Sequence, residues 1–247
     1  KLELSQTQHF ELKKYTDDLG MLFMSTPYDC ESAKFLFELG VKCFKTSSAD
    51  ITDLKLHHTI ASFKTPVILS TGMSEMFEIK YAVEIFKRKK IPLALLQTTS
   101  EYPADYRDIN LGVIETFEKT FNVPVGISDH SLGIYTALGA VAKGACIVEK
   151  HITLNKKMPG PDQKISLEPN ELIELVKGCK AVKLALGNTK KILPKELPVL
   201  KFARECVVTS RKISKGEIFS EENLTTKRPN TGQIPAKDYN KIIGKKS

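Results

Sequence analysis

The chain has 247 residues, 41% of them hydrophobic and 27% charged, with a formal net charge of +8. That length accommodates one large domain and a small one, and no run approaches the ~18 uninterrupted apolar residues of a membrane helix, so no membrane association is expected. The five cysteines (Cys30, Cys43, Cys146, Cys179, Cys206) are scattered and odd in number, with no CxxC pair, a usage that suits a reducing cytoplasm better than a disulfide scaffold or zinc cluster. Lysines account for the basic excess, but no aromatic residues interleave with them, so nucleic acid is not an expected partner and anionic small substrates remain open. The opening stretch KLELSQTQHFELKKY carries no signal-type segment. It reads as the interior of a longer pattern.

Short apolar strand candidates follow one another in chain order: MLFMST (21–26), VKCFKTS (41–47), PVILST (66–71), PLALLQTT (92–99), PVGISD (124–129) and ACIVEK (145–150). Amphipathic segments lie between them. In SEMFEIKYAVEIFKR (74–88), Met76, Ile79, Ala82, Val83 and Phe86 form one apolar stripe at helical spacing. Ser74 is the expected N-cap there, with Glu75 and Glu78 at the positive end of the helix dipole. Apolar strands alternating with helices predict a parallel sheet covered by helices. The sixth unit ends with a helix over NELIELVKGCKAVKLALG (170–187), stopped by Gly187-Asn188.

Six strands would fill a doubly wound sheet, whereas a (β/α)8 TIM barrel needs two more, which this reading expects ahead of Lys1. The strand ends favour the barrel. Nearly all finish in small hydroxyl or charged groups: Ser25-Thr26, Lys45 to Ser48, Ser70-Thr71, Thr98 to Ser100, Ser128 to His130, and Glu149 to His151. A barrel gathers such ends at one mouth, while an open sheet concentrates them near one switch point. After residue 188 the texture changes to a lysine-rich linker with Pro194 and Pro198. The expected organisation is a barrel-type domain at 1–188, a linker at 189–202 and a small β-rich module at 203–247.

His130 and His151 would project into one mouth from neighbouring strands. Two neutral imidazoles suit a divalent ion such as Mn²⁺ or Mg²⁺, although each histidine by itself is equally a strand cap. Lys45 with the hydroxyls of Thr26, Ser48, Ser70, Ser100 and Ser128 has the makings of an oxyanion or phosphate site. The same serines and threonines also suit local turns. Asp162 sits on the Pro-Gly-Pro loop of MPGPDQKIS, where it would hold a sugar hydroxyl or serve a turn. Tyr102 in SEYPADY reads as a site wall or a loop anchor. His57 and His58 fall inside a helix as surface or packing residues.

The stretches FMSTPYD, FKTSSADITD, PVILSTGMS, TSEYPADYRDINL, GISDHSLGI, EKHITLNKKMPGPDQKISLEP and ISKGEIFSEENLTTKRPNTG resemble, in this order, the sialic acid synthase family. Its members condense phosphoenolpyruvate with an N-acylated amino sugar. The resemblance implies a (β/α)8 barrel followed by an antifreeze-like SAF domain. It matches His130 and His151 to the metal ligands, and Thr26, Lys45, Ser48, Ser70, Tyr102 and Ser128 to positions around phosphoenolpyruvate and the metal. Asp162 matches the sugar-side carboxylate. Arg228 matches an arginine that reaches a neighbouring subunit's sugar, which implies a domain-swapped homodimer. Asp50 is a candidate carboxylate for the reaction's water. Family members begin with two further β/α units and continue past IIGKKS, so a partial barrel and a partial SAF domain are expected. Asp50 is the shorter acid at its motif position, and Glu101 replaces the commoner Asn or Ala; both bear on the acceptor sugar, N-acetylmannosamine or the precursors of legionaminic or pseudaminic acid. A Schiff-base sugar-acid aldolase using Lys45 or Lys150 is the competing chemistry.

Overall fold

A computed structural model describes residues 4–247; residues 1–3, the start of the opening stretch, lie outside the described residues. It divides into two units, Lys1–Gly187 and Asn188–Ser247. In the first, α1 (Gln6–Asp18) opens on a capping box, in which Ser5 Oγ accepts from the Gln8 amide and the Gln8 side chain accepts from the Ser5 amide. Then follow α2 (Cys30–Leu39), β1 (Phe44–Thr46), α3 (Leu54–Ser62), β2 (Val67–Ser70), α4 (Met76–Arg88), β3 (Leu93–Thr98) and α5 (Val113–Phe121). The unit closes with β4 (Val125–Asp129), α6 (Tyr135–Ala142), β5 (Val148–Lys150) and α7 (Pro169–Ala185).

The five strands form one parallel sheet in the sequential order β1-β2-β3-β4-β5. Sequential order without reversal is that of a barrel wall, not of a doubly wound sheet, whose strand order turns back at a switch point. Five strands are paired, one fewer than the sequence pattern suggests. Residues 21–26 run without a strand, and no described backbone hydrogen bond joins them to β1. An apolar run becomes a strand only where a ladder accepts its amides and carbonyls; here Leu22 is left 55% exposed.

The helices cover the sheet with the faces their periodicity predicts. On α4, Ile79, Ala82, Val83 and Phe86 are buried, and each of the larger three contributes roughly 1.5–3 kcal/mol by leaving water. Met76, expected in that stripe, is 42% exposed because it occupies the first helical position, before the helix has settled onto the sheet. The cap also lies one residue later than expected. Glu75 is the N-cap and its amide donates to Glu78 Oε2 at 2.8 Å, while the Ser74 hydroxyl donates to the Gly72 carbonyl. Facing this helix layer, Phe44, Leu69, Leu95 and Ile127 from the strands belong to the same buried cluster.

In the second unit, α8 (Leu197–Ala203) precedes β6 (Cys206–Thr209) and β7 (Leu224–Lys227), which pair antiparallel, and a short helix α9 (Tyr239–Ile242) follows. Isolated bridges join Cys206 to Pro235 and Ile218 to Lys246. No described helix is long and apolar enough to cross a membrane.

Candidate active site

Alternation along each strand determines which side chains face the mouth. At the carboxyl ends of β1 to β5 a cavity of about 610 Å³ is lined by Lys45, Ser70, Thr98, Ser128 and Glu149, with Ser48, Ser100, His130 and His151 from the turns just beyond. Thr26, Tyr102 and Asp162 also line it, together with Tyr28, Ser47, Ala49 and Met73. Ten of the twelve residues singled out in the sequence therefore meet in one cavity. Asp50 does not line it. It sits on the 3-10 turn Ser48–Asp50, with one carboxylate oxygen buried and unpartnered among the described residues and its pKa raised by burial. Arg228 lies exposed at the end of β7 in the second unit.

Glu149 is the residue that sequence reasoning left out. It was legible only as a strand-end neighbour of His151, yet both line the cavity, Glu149 from β5 and His151 from just beyond it. Its Oε1 accepts from Ser128 Oγ at 2.6 Å, and its Oε2 stands 3.4 Å from Lys45 Nζ. Lys45 also donates to Ser70 Oγ at 2.7 Å and to the Thr46 carbonyl at 3.0 Å. Burial holds the Lys45 pKa below the usual lysine value, with Glu149 opposing that shift. Lys150, the other candidate amine, is not a lining residue: it points to the helix side of the sheet and is paired there with Asp129.

The two histidines are built differently. His130 presents Nδ1 to the Thr99 carbonyl at 2.8 Å. A carbonyl only accepts, so Nδ1 carries the proton and the neutral ring keeps its lone pair on Nε2. Burial lowers the His130 pKa, which favours that neutral form. Tyr102 stacks on the ring with centroids 4.2 Å apart, and the His151 ring lies 5.5 Å away at 70°. His151 Nδ1 faces Asp162 Oδ2 at 3.7 Å. Among the described residues no group of three or more His, Cys, Asp or Glu side chains is arranged to hold a metal ion. Two imidazoles, one with its tautomer set by a backbone acceptor, fit an open site whose remaining ligands come from substrate or water.

The glycine after β2 belongs to the same construction. A Cβ on Gly72 would overlap Ser100 Oγ and lie 2.9 Å from Ser48 Oγ, and the Gly72 amide donates to that same Ser48 oxygen. With the hydroxyls in this arrangement the chain approaches them as bare backbone.

The sequence model of the NeuB family matches residues 1–191, and that of the SAF domain matches residues 204–247. The chain belongs to the NeuB family. It is 43% identical over 249 residues to the N,N'-diacetyllegionaminic acid synthase of Campylobacter jejuni, spanning 99% of this chain and 74% of that protein. Identity to human N-acetylneuraminate-9-phosphate synthase is 37% over 247 residues, or 99% of this chain and 69% of the human one. A crystal structure of the N-acetylneuraminic acid synthetase of Leptospira borgpetersenii superposes with a TM-score of 0.76 at 38% identity, covering 80% of this chain and 70% of that one. The NeuB-family fold thus identifies the five parallel strands as part of a TIM barrel, followed by a small β SAF region. The chain is an enzyme of the sialic-acid-type synthase class.

Proposed function

We propose that this protein condenses phosphoenolpyruvate with an N-acylated amino sugar to give a nine-carbon sialic-acid-type sugar acid and phosphate. The observation that carries the reading is one cavity lined together by Lys45, an array of hydroxyls and two histidines. Lys45, Ser48, Ser70 and Ser100 suit the phosphate and carboxylate of phosphoenolpyruvate, as charge-assisted donors to oxyanions. His130 and His151 would hold a divalent cation, Mn²⁺ or Mg²⁺, which when bound supplies Lewis acidity to an aldehyde oxygen. Asp162 and Tyr102 face the sugar side.

In the reaction, C3 of phosphoenolpyruvate bonds to the aldehyde carbon while water adds at C2, and the proton that water gives up balances the one the aldehyde oxygen takes to become a hydroxyl. The C2–O bond to phosphate then breaks as the C2 hydroxyl gives its remaining proton to the departing phosphate, which leaves the ketone. Fixing both substrates at the reacting distance is the protein's main contribution. Glu149 is the carboxylate best sited to accept a proton inside the cavity, whereas Asp50 lies outside its wall. Arg228 would act on a neighbouring subunit's N-acyl group in a domain-swapped homodimer, and a cytoplasmic location suits the five free cysteines.

The similarity to N,N'-diacetyllegionaminic acid synthases, at 43% and 40%, supports a di-N-acetylated acceptor ahead of N-acetylmannosamine. The decisive experiment measures phosphate release from phosphoenolpyruvate with Mn²⁺ and each acceptor in turn: N-acetylmannosamine and the precursors of legionaminic and pseudaminic acid. Release that depends on both metal and sugar is expected. No release with any acceptor, or trapping of pyruvate on Lys45 by borohydride, would overturn the reading.

A further inference from the structure

Behind the cavity wall, Asp129 and Lys150 are direct register partners on β4 and β5, and each is the residue immediately before a cavity histidine. Strand alternation turns their side chains away from His130 and His151, toward the helices. There they are sealed, with side-chain exposures of 0% for Asp129 and 3% for Lys150. Asp129 Oδ2 accepts from Lys150 Nζ at 2.9 Å and from Thr136 Oγ1, at the start of α6, at 2.7 Å. Asp129 Oδ1 accepts from the Ser131 amide at 2.9 Å, and Lys150 Nζ also donates to the Ser131 carbonyl. The backbone on both sides of His130 is therefore tied to the residue paired with Lys150.

We infer that Asp129, Lys150 and Thr136 form a positioning clamp that sets the spacing and register of His130 and His151, and through them the divalent-cation affinity of the cavity. The inference rests on the metal reading proposed above. Beyond the last rung of the ladder the His151 carbonyl accepts from the Leu167 amide at 2.8 Å and the His130 carbonyl from the Ala104 amide at 3.1 Å, so each histidine is anchored to its own loop, while the β4–β5 register ends at Asp129 and Lys150. The buried ion pair across that rung ties the two strand ends to each other, and the bonds to Ser131 and Thr136 carry the restraint into the turn that bears His130. Loss of a group that orients a metal ligand typically costs about 10–100-fold in metal affinity.

The test is calorimetric titration of Mn²⁺ into the full chain and its variants, with phosphoenolpyruvate affinity measured separately in the absence of metal and folding followed by thermal melting. Lys150→Met is expected to weaken Mn²⁺ binding by about 10–100-fold while phosphoenolpyruvate affinity, which depends on Lys45, is unchanged. Lys150→Arg should restore most of the loss. Thr136→Val removes the hydroxyl's bonds to Asp129 and Ser131 at nearly constant volume and should weaken Mn²⁺ binding less, which keeps the test available if Lys150→Met does not fold. Unchanged Mn²⁺ affinity in a folded variant overturns the clamp. So does a parallel fall of Mn²⁺ affinity, phosphoenolpyruvate affinity and melting temperature, which would mark the pair as purely structural. Failure of the unsubstituted protein to bind Mn²⁺ overturns the histidine assignment as well, and so separates the two readings.

Discussion

His57, on α3 and away from the cavity, is expected to make the first unit acid-sensitive. The side chain is 0% exposed, packs on Phe86 with ring centroids 5.5 Å apart, and has no hydrogen-bond partner on either ring nitrogen among the described residues. Burial lowers its pKa to about 4, with Asp53 opposing and His58 adding to the shift. The folded value lies below the unfolded one, so the unfolded chain binds the proton more tightly and stability falls with pH. The loss begins near the unfolded value of 6.5 and levels off below the folded value. Linkage with these two values gives a loss of about 2 kcal/mol between pH 7 and pH 5, approaching about 3 kcal/mol below pH 4. Replacing the ring by an apolar group of similar size, His57→Leu, removes the titration and two unsatisfied nitrogens together. The variant should match or exceed the parent at pH 7, and its advantage should grow by about 2 kcal/mol at pH 5. Urea unfolding followed by far-ultraviolet circular dichroism at the two pH values measures this, since the chain has no tryptophan. Equal losses of stability in both proteins would refute the argument, because every other titrating group is common to them.

Three further outcomes follow from the site and the sheet. Lys45→Met should lower phosphoenolpyruvate affinity by about 10- to 100-fold, the worth of a charged hydrogen bond, with little change in Mn²⁺ binding; equilibrium binding of each ligand separates the two. Gly72→Ala would drive a methyl group into Ser48 and Ser100, whose side chains can turn aside. Turnover should therefore fall while the melting temperature holds, and an unchanged KM for phosphoenolpyruvate would argue against a role for those hydroxyls. Gly126→Ala meets the Ile147 carbonyl and, at 2.7 Å, the Ile147 Cβ. Backbone cannot turn aside in this way, so overpacking should cost about 1–3 kcal/mol or more in denaturant unfolding.

Much of the architecture is local enough to be legible in one dimension. The 3.6-residue spacing of Ile79, Ala82, Val83 and Phe86 identifies α4 and its buried face, and the polar ends of six strand candidates, five of which pair, announce a common mouth before any coordinate is known. The helix cap is less legible. Ser74 is the cap the sequence suggests, but the trajectory of the chain after Gly72 puts the Ser74 hydroxyl on the Gly72 carbonyl and makes Glu75 the N-cap. Residues 21–26 carry a strand's composition, but a strand is a pairing and no ladder forms there.

Sequence by itself determined the strand-helix alternation, the hydroxyl and lysine array at the strand ends, and the two histidines that each follow an apolar strand. The tertiary structure alone decided that Glu149 joins them beside Asp162 and that Asp50 does not. The sequence pattern points to Asp50 and passes over Glu149, whereas register and side-chain direction turn Glu149 inward and leave Asp50 off the wall. It also decided that Asp129 and Lys150 face the helices as a buried pair, and that His57 is enclosed with neither nitrogen bonded. The reason is the same in each case. Burial and partnership are set by residues tens of positions apart in the chain, whereas periodicity and capping are set by neighbours within a turn or two.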